Sequence, residues 1–475
     1  MNSRKVATFA IGPIGGAFLS LITLPVITWF FSQEDVGRLA MLQVIISFST
    51  LLFSLGLDQA YVREFHEVSD KPALLKRSMF PGLLLLSMTL FILLSFGGVL
   101  AGWVFEIQNW YLSLLVAAIV LSALISRFLT LILRMNDQAL AFSVSQILPK
   151  LMFLFIVLSY VLFGAEYSLT NLVIANMVAF VFVCLVFMFK MHKEWRDSLT
   201  ASLDHKHLIK MLRFGLPLVL GGVAYWGLTA IDKIFLRALV SFEELGVYSV
   251  AVSFAGAAVI LQSIFATVWA PTVYKWASEG KGLENVFKVN RFILLLVIIF
   301  FCLAGLMSWT ITPLLPPNYV DVQWLLVACL GAPLLYTLSE STAVGIGISR
   351  RSSFALLATL IAFLINLLGN WIMIPHFGAA GAAASTCIAF WSFFTLRTEF
   401  SIYLWQSFPR LLLYVYSGFA VAGACALTLF GTKIHTQMFV FWTVLLIAVC
   451  ISFRSEIKQA IIFFSNLIKG KEYNV

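Results

Sequence analysis

The chain has 475 residues, of which 61% are apolar and only 11% charged. A soluble domain carries about 25% charged residues, so a soluble fold is excluded and lipid must be the solvent for much of the surface. The formal charge of +9 is read as the loop bias of a membrane protein, not as a nucleic-acid footprint.

A membrane-crossing helix needs about 20 apolar residues. On that basis the sequence predicts fourteen spans, at 6–31, 36–57, 79–104, 110–133, 139–163, 168–189, 212–232, 245–270, 290–313, 323–347, 353–374, 379–397, 410–430 and 437–453. The runs are too long for barrel strands and lack strand-like alternation, so the fold class is all-α: a polytopic integral membrane protein. MNSRK opens the chain and no small-residue cleavage site follows, so the first run is read as a span, not a removed signal peptide.

The second span ends in GLDQAYVREF, residues 56–65. Gln59, Arg63 and Glu67 stand at i, i+4 and i+8, which predicts that the helix continues beyond the hydrocarbon. Arg63 then stands at the mouth of a cavity, or else pairs with Glu67 on a solvated face. In the fourth span Arg127 lies about two turns from the inner end, and Arg134, seven residues on, shares nearly the same face. A guanidinium suits phosphate oxygens by its two-point geometry; an interfacial arginine against lipid phosphates is the other reading.

The fifth span holds Lys150, roughly 16 Å into the helix at 1.5 Å per residue. Ser143, Gln146 and Lys150 follow i, i+3, i+7 and share its face, and Pro149 is expected to loosen the helix there. Lys150 is read as a cavity cation, or else as the partner of a buried carboxylate or a snorkelling lysine.

A polar linker, 191–211, separates two stretches that look alike. SQEDVGRLAML (32–42) and SFEELGVYSVA (241–251) share a Ser-x-Glu-acid-apolar-Gly pattern in which Gly37 matches Gly246. The helices before them both carry Gly/Pro near the start, GPIGG and FGLPLVLGG. The two copies begin on the same side, so the repeat is parallel, as in transporters whose halves are related about the membrane normal. The expected organisation is a six-helix lobe (1–190), the linker (191–211), a second six-helix lobe (212–405), and an extra helix pair with a tail (406–475).

In the seventh span Asp232 and Lys233 are read as an outer gate or coupling carboxylate, or as a plain interfacial cluster. Glu340 is the only acid well inside a span. It is either a proton or cation site or the partner of a buried base, with Lys150 as one candidate. Asn366 and Asn370, one turn apart, are read as interhelical hydrogen-bonding groups. The six cysteines sit inside apolar runs with no CxxC pair, so no metal site or disulfide framework is predicted.

With the N-terminus placed in the cytoplasm, 25 of the 31 Lys/Arg fall on cytoplasmic segments and flanks. This is a positive-inside pattern that also puts the C-terminus in the cytoplasm.

Residues 345–384, GIGISRRSSFALLATLIAFLINLLGNWIMIPHFGAAGAAA, combine three features. They are the basic turn Arg350–Arg351, Asn366-x-x-x-Asn370, and an Ile-Pro-x-x-Gly-x-x-Gly-Ala turn from Ile374 to Ala382. With FGLPLVLGGVAYWGLTAIDKIFL and GLDQAYVREF, this order resembles the polysaccharide/O-antigen flippases of the multidrug/oligosaccharidyl-lipid/polysaccharide exporter superfamily. Those are described with twelve spans, so the last pair departs from the pattern. The resemblance implies two helical lobes around a cavity and a bacterial inner-membrane location. The implied cargo is an oligosaccharide on a polyprenyl diphosphate, carried outward by alternating access. It also implies contact with membrane lipids and with polymerase and chain-length proteins, to which the last helix pair is one candidate docking site.

A diphosphate cannot cross hydrocarbon bare, so intramembrane bases on a cavity wall are the expected signature. A cation-coupled multidrug exporter would want acidic cavity residues instead, and a lipid II flippase of the same superfamily is the second alternative. The predicted outer loops are short and carry no catalytic set, which argues against an enzyme. No GxxxxGK[ST] occurs, and no cofactor is expected. The default driving force is an ion gradient.

Overall fold

The computed structural model describes residues 3–279 and 282–468. Among these residues every regular element is helical. The chain packs as two compact units, Met1–Ser253 and Phe254–Val475.

The first unit begins with α1 (Ser3–Phe30), α2 (Gln33–Phe53), the short α3 (Leu57–Glu64), α4 (Lys71–Ser95) and α5 (Val99–Phe105). It continues with α6 (Trp110–Met135), α7 (Ala139–Phe163), α8 (Leu169–Lys190), α9 (His192–Thr200), α10 (His205–Leu239) and α11 (Phe242–Ala255), whose last turn passes the unit boundary. Polar residues at the turns start these helices. The side chains of Ser32, Asp70, Asn109, Ser168 and Asp204 accept hydrogen bonds from the first-turn amides of α2, α4, α6, α8 and α10. Those amides would otherwise be orphaned at the helix ends.

α1 lies along α7 and α6 along α8. The GPIGG stretch makes the first of these contacts possible. A Cβ on Gly12 would sit 2.9 Å from the Ser143 Cα, and one on Gly15 would sit 2.8 Å from the Ile147 side chain.

The stretch GLDQAYVREF does not continue the second span. α2 stops at Phe53, Leu55 and Gly56 take positive φ (54° and 68°), and α3 starts afresh. The spacing of Gln59, Arg63 and Glu67 is helical but says nothing of a break upstream of it. Gly56 tolerates the left-handed conformation. It also lets α10 approach, because a Cβ there would lie 2.2 Å from the Gly215 carbonyl oxygen.

The two matched glycines of the repeat meet in this unit. A Cβ on Gly37 would sit 1.9 Å from the Phe242 oxygen and 3.1 Å from the Gly246 amide nitrogen. One on Gly246 would sit 2.2 Å from the Gln33 oxygen. The turns SQEDVG and SFEELG therefore pack backbone to backbone.

The second unit contains α12 (Ala258–Ser278), α13 (Gly282–Met307), α14 (Val322–Cys329), α15 (Gly331–Thr342), α16 (Val344–Ile348), α17 (Ser352–Leu404), α18 (Leu411–Ser452) and α19 (Arg454–Ile468). Short 3-10 turns lie between α13 and α14.

Among the described residues eleven helices are long and apolar enough to cross a membrane, or twelve when the bent pair Phe242–Ala255 and Ala258–Ala277 counts as one span. That differs from the fourteen expected. Two of the eleven are longer than any bilayer. α17, with 53 residues, would run about 80 Å against a hydrocarbon core of about 30 Å. α17 turns at Gly378 (φ 53°, ψ −131°), and the 42-residue α18 is interrupted at Ile434. The IPHFGAAGAA motif is thus a hairpin turn. Ser385 Oγ donates to Asn366 Oδ1 (3.0 Å) across it, which is the interhelical role expected of Asn366. Asn370 is fully buried and its amide has no protein partner.

α18 packs on α13, α14 and α17. Trp442 is fully buried, with its ring where a Gly305 Cβ would be (2.4 Å). The extra helix pair is therefore part of the packing of the second unit. All six cysteines are free, and no cluster of metal-binding side chains occurs among the described residues.

Candidate cation-lined cavity

The first unit encloses a cavity of about 780 Å³, walled by α1, α2, α6, α7 and α8 with contributions from α3 and α11. Its apolar wall is interrupted by Ser20, Gln43, Asp58, Arg127, Gln146, Lys150 and Asn176. Serine and threonine hydroxyls add to these, so the wall is more polar than that of a usual ligand pocket.

α7 runs through Pro149 as one helix and carries Gln146 and Lys150 to this wall. Lys150 Nζ donates to the Gly16 carbonyl oxygen and to Ser20 Oγ, both at 2.9 Å. Gly16 is the last glycine of GPIGG, so the close packing of α1 on α7 presents a carbonyl to the lysine. Both partners are neutral. An ammonium has three donors, so two such bonds leave one N–H for a ligand.

Arg127, from the middle of α6, faces the same cavity. Its Nη2 meets Asp58 Oδ2 at 2.8 Å, with the arginine side chain 46% exposed and the aspartate 8%. Asp58 is the single acid on the cavity wall among the described residues. The sequence reading does not single it out as a site residue. It stands two residues after Gly56, and the break at Leu55–Gly56 turns it toward Arg127. The only signal was an acid in an apolar setting beside a Gly. Gln43 Nε2 donates to Asn176 Oδ1 at 3.4 Å. Ser249 Oγ is buried and has no protein partner.

Lys150, Arg127 and Gln146 therefore share one cavity. The other sequence candidates lie elsewhere. Arg63 is exposed, with its guanidinium over the Phe214 ring at 4.5 Å. Neither it nor Arg134, exposed in the last turn of α6, lines this cavity. The restart of the helix at α3 explains Arg63, since it sends Asp58 inward and Arg63 toward α10. Glu64, next to it, receives His207 Nε2 (2.6 Å), whose Nδ1 meets Arg77 Nη1 (3.0 Å).

Asp232 is buried (2% exposed) and accepts a hydrogen bond from the Tyr248 hydroxyl. Its other oxygen accepts the Lys233 amide at 2.8 Å. Neither Asp232 nor Lys233 lines the cavity.

Glu340 pairs with Arg397 (2.8 Å) and not with Lys150. The pair lines a smaller cavity of about 360 Å³ in the second unit. Arg397 also donates to Ser339 Oγ (3.0 Å) and stacks over Phe393.

A family model described as polysaccharide biosynthesis protein matches residues 3–276. No curated protein matches by sequence. Among solved structures the chain is similar to the lipid II flippase MurJ in an inward closed conformation, at a TM-score of 0.68 and 13% identity. That match covers 96% of this chain and 100% of the other. It is also similar to an inward-facing multidrug resistance MATE family transporter of the MOP superfamily, at a TM-score of 0.58 and 15% identity. Here 81% of this chain and 93% of the other are covered. At these identities the likeness is one of fold: an all-α, polytopic transporter fold. The family model covers more than half of the chain, which therefore belongs to the polysaccharide biosynthesis protein family.

Proposed function

We propose that this member of the polysaccharide biosynthesis protein family is a flippase for polyprenyl-diphosphate-linked oligosaccharide. The cargo would be an O-antigen, capsule or other exopolysaccharide repeat unit, moved across a bacterial inner membrane by alternating access. The observation that carries this reading is the convergence of Lys150 and Arg127 on one cavity in the first unit. Two bases on one wall match the two phosphates of the carrier, and the sugar would fill the polar remainder of the cavity beside Gln43, Gln146 and Asn176. The lipid tail needs no protein route, since it stays in hydrocarbon throughout.

The proposed topology has fourteen spans, with α17 and α18 each crossing twice and both termini in the cytoplasm. The positive-inside bias of the loops supports it. The backbone contact between Gly37 and Gly246 supports the parallel repeat, because equivalent turns meet where a two-fold axis passes. The lobe limits 1–190 and 212–405 rest on that repeat. An ion gradient is the proposed driving force.

A multidrug exporter of the same superfamily would offer a carboxylate to a cationic drug. Here the single cavity acid is already bound to Arg127, which favours an anionic cargo. Lipid II also carries a polyprenyl diphosphate, so the cationic cavity fits it equally. The cargo is decided by flipping assays in proteoliposomes containing the purified chain. Fluorescent polyprenyl-diphosphate oligosaccharide, fluorescent lipid II and a cationic dye are supplied in turn. Transport of the oligosaccharide lipid in preference to the other two is the expected result. Transport of the dye alone would overturn the reading.

A further inference from the structure

We propose that Asp58 is a built-in competitor for Arg127, an internal anion that the diphosphate of the cargo displaces and that drives the cargo off again. This rests on the diphosphate reading of the same cavity and adds a residue that sets its affinity.

The geometry is that of a loose, exchangeable pair. Arg127 reaches Asp58 through one guanidinium nitrogen, Nη2, at 2.8 Å. Arginine pairs most strongly through two parallel N–H···O bonds, and a phosphate oxygen pair offers that fork. Both side chains line the cavity, but the arginine is 46% exposed and the aspartate 8%, so the guanidinium is the more accessible of the two to a ligand. Asp58 also keeps a second donor, Gln59 Nε2 at 3.3 Å. Its carboxylate is therefore not stripped of hydrogen bonds when Arg127 turns away. α3 holds it in place, anchored by the close approach of Gly56 to Gly215.

Charge gives the exchange its purpose. Lys150 is bound to two neutral oxygens and keeps its full charge for a ligand. Arg127 does not. With Asp58 in place the wall carries about one net positive charge against the two negative charges of a diphosphate diester. A carrier must release what it binds, and a site of two unopposed bases would hold a diphosphate too tightly to turn over. Asp58 lowers the affinity and recaptures Arg127 on release.

The test measures binding and flipping together, on the full chain. Calorimetry in detergent follows two probes, inorganic pyrophosphate and farnesyl diphosphate, with wild type, Asp58→Asn, Arg127→Ala and the double variant. Flipping of the fluorescent oligosaccharide lipid is followed in proteoliposomes. Asp58→Asn is expected to bind both probes on the order of tenfold more tightly, equivalent to about 1.4 kcal/mol, while flipping more slowly. In the Arg127→Ala background the gain in affinity should vanish. Asp58→Ser replaces the asparagine variant if the latter does not insert.

A merely structural aspartate would lower binding and flipping together. Unchanged or weaker binding by Asp58→Asn, or the same gain without Arg127, overturns the proposal. If wild type and all variants bind neither probe, the diphosphate reading falls and this one with it. Binding of pyrophosphate but not of farnesyl diphosphate would keep the exchange and assign it to a free diphosphate, overturning the lipid-linked source.

Discussion

Lys150→Met separates a ligand-binding lysine from a structural one. Lys150 Nζ makes two hydrogen bonds, to the Gly16 oxygen and Ser20 Oγ. Neither partner is orphaned by its removal. The Ser20 hydroxyl itself donates to the Gly16 oxygen at 3.0 Å, and Gly16 lies within the continuous α1. Methionine keeps the length and apolar stem of lysine, so the packing of α1 on α7 is retained. The expected change in thermal stability is therefore small, within about 0.5 kcal/mol, as for substitutions that create no cavity or unpaired group. The expected loss on the ligand side is larger. A charge-assisted bond to a phosphate contributes about 1.5–3 kcal/mol, or roughly 10- to 150-fold in affinity. Flipping in proteoliposomes, beside a melting curve in detergent, reads both quantities. Lys150→Arg, which keeps the charge, should retain part of the activity. A large drop in melting temperature with proportionate loss of flipping would refute the reasoning, because the lysine would then be holding α1 to α7. Unchanged flipping by Lys150→Met would refute the assignment of the lysine to the cargo.

Substitutions at three further positions test the frame around the site. Gly56→Ala places a Cβ 2.2 Å from the Gly215 oxygen at φ +68°. The strained φ alone costs about 1–2 kcal/mol, so the melting temperature should fall, and Gly56→Asn, which tolerates that φ, should still clash with α10. His207→Ala leaves the buried Arg77 without its imidazole acceptor and Glu64 without its donor; a loss of about 1–3 kcal/mol is expected in thermal unfolding. Replacement by Gln should recover part of it. Glu340→Gln removes the charge opposite Arg397, whose side chain is 14% exposed. It should destabilise by a few kcal/mol, with little effect on pyrophosphate binding in the other unit, as read by melting and calorimetry.

The fold class was legible because lipid demands long apolar helices, and these are visible one at a time. The hairpin at IPHFGAAGAA was equally legible, since Pro375 and Gly378 mark a turn within a run too long to be one span. The glycine match at 37 and 246 pointed to two turns of one kind, though not to their meeting. The site was legible in part. Lys150, Gln146 and Arg127 stand out because a charge or amide in an apolar helix is rare, and their shared cavity follows from α6 and α7 both packing on α8. Arg63 misled because helical spacing was continued through Gly56. A left-handed break is invisible to periodicity, and the two reversed residues Leu55 and Gly56 decide whether Asp58 or Arg63 turns inward. The partners of Glu340 and Asp232 were out of reach for a different reason. Arg397 is 57 residues from Glu340, and no local pattern specifies which base an acid will meet across a bundle.

Arg127, Arg397 and Lys150 are not held alike, and that difference says where a ligand is needed in the first cavity. Arg127 meets Asp58 and Arg397 meets Glu340, so each of these positive charges is balanced inside the protein. Lys150 meets a carbonyl and a hydroxyl. Dipolar oxygens orient an ammonium but do not neutralise it, and a cation near the middle of a spanning helix carries a free-energy penalty. A lysine held in this way is stabilised whenever an anion arrives. The wild-type chain should therefore melt higher in saturating pyrophosphate, and the increase should be lost in Lys150→Met. Equal increases in both proteins would mean that the anion binds elsewhere and that the uncompensated charge on α7 serves some other purpose.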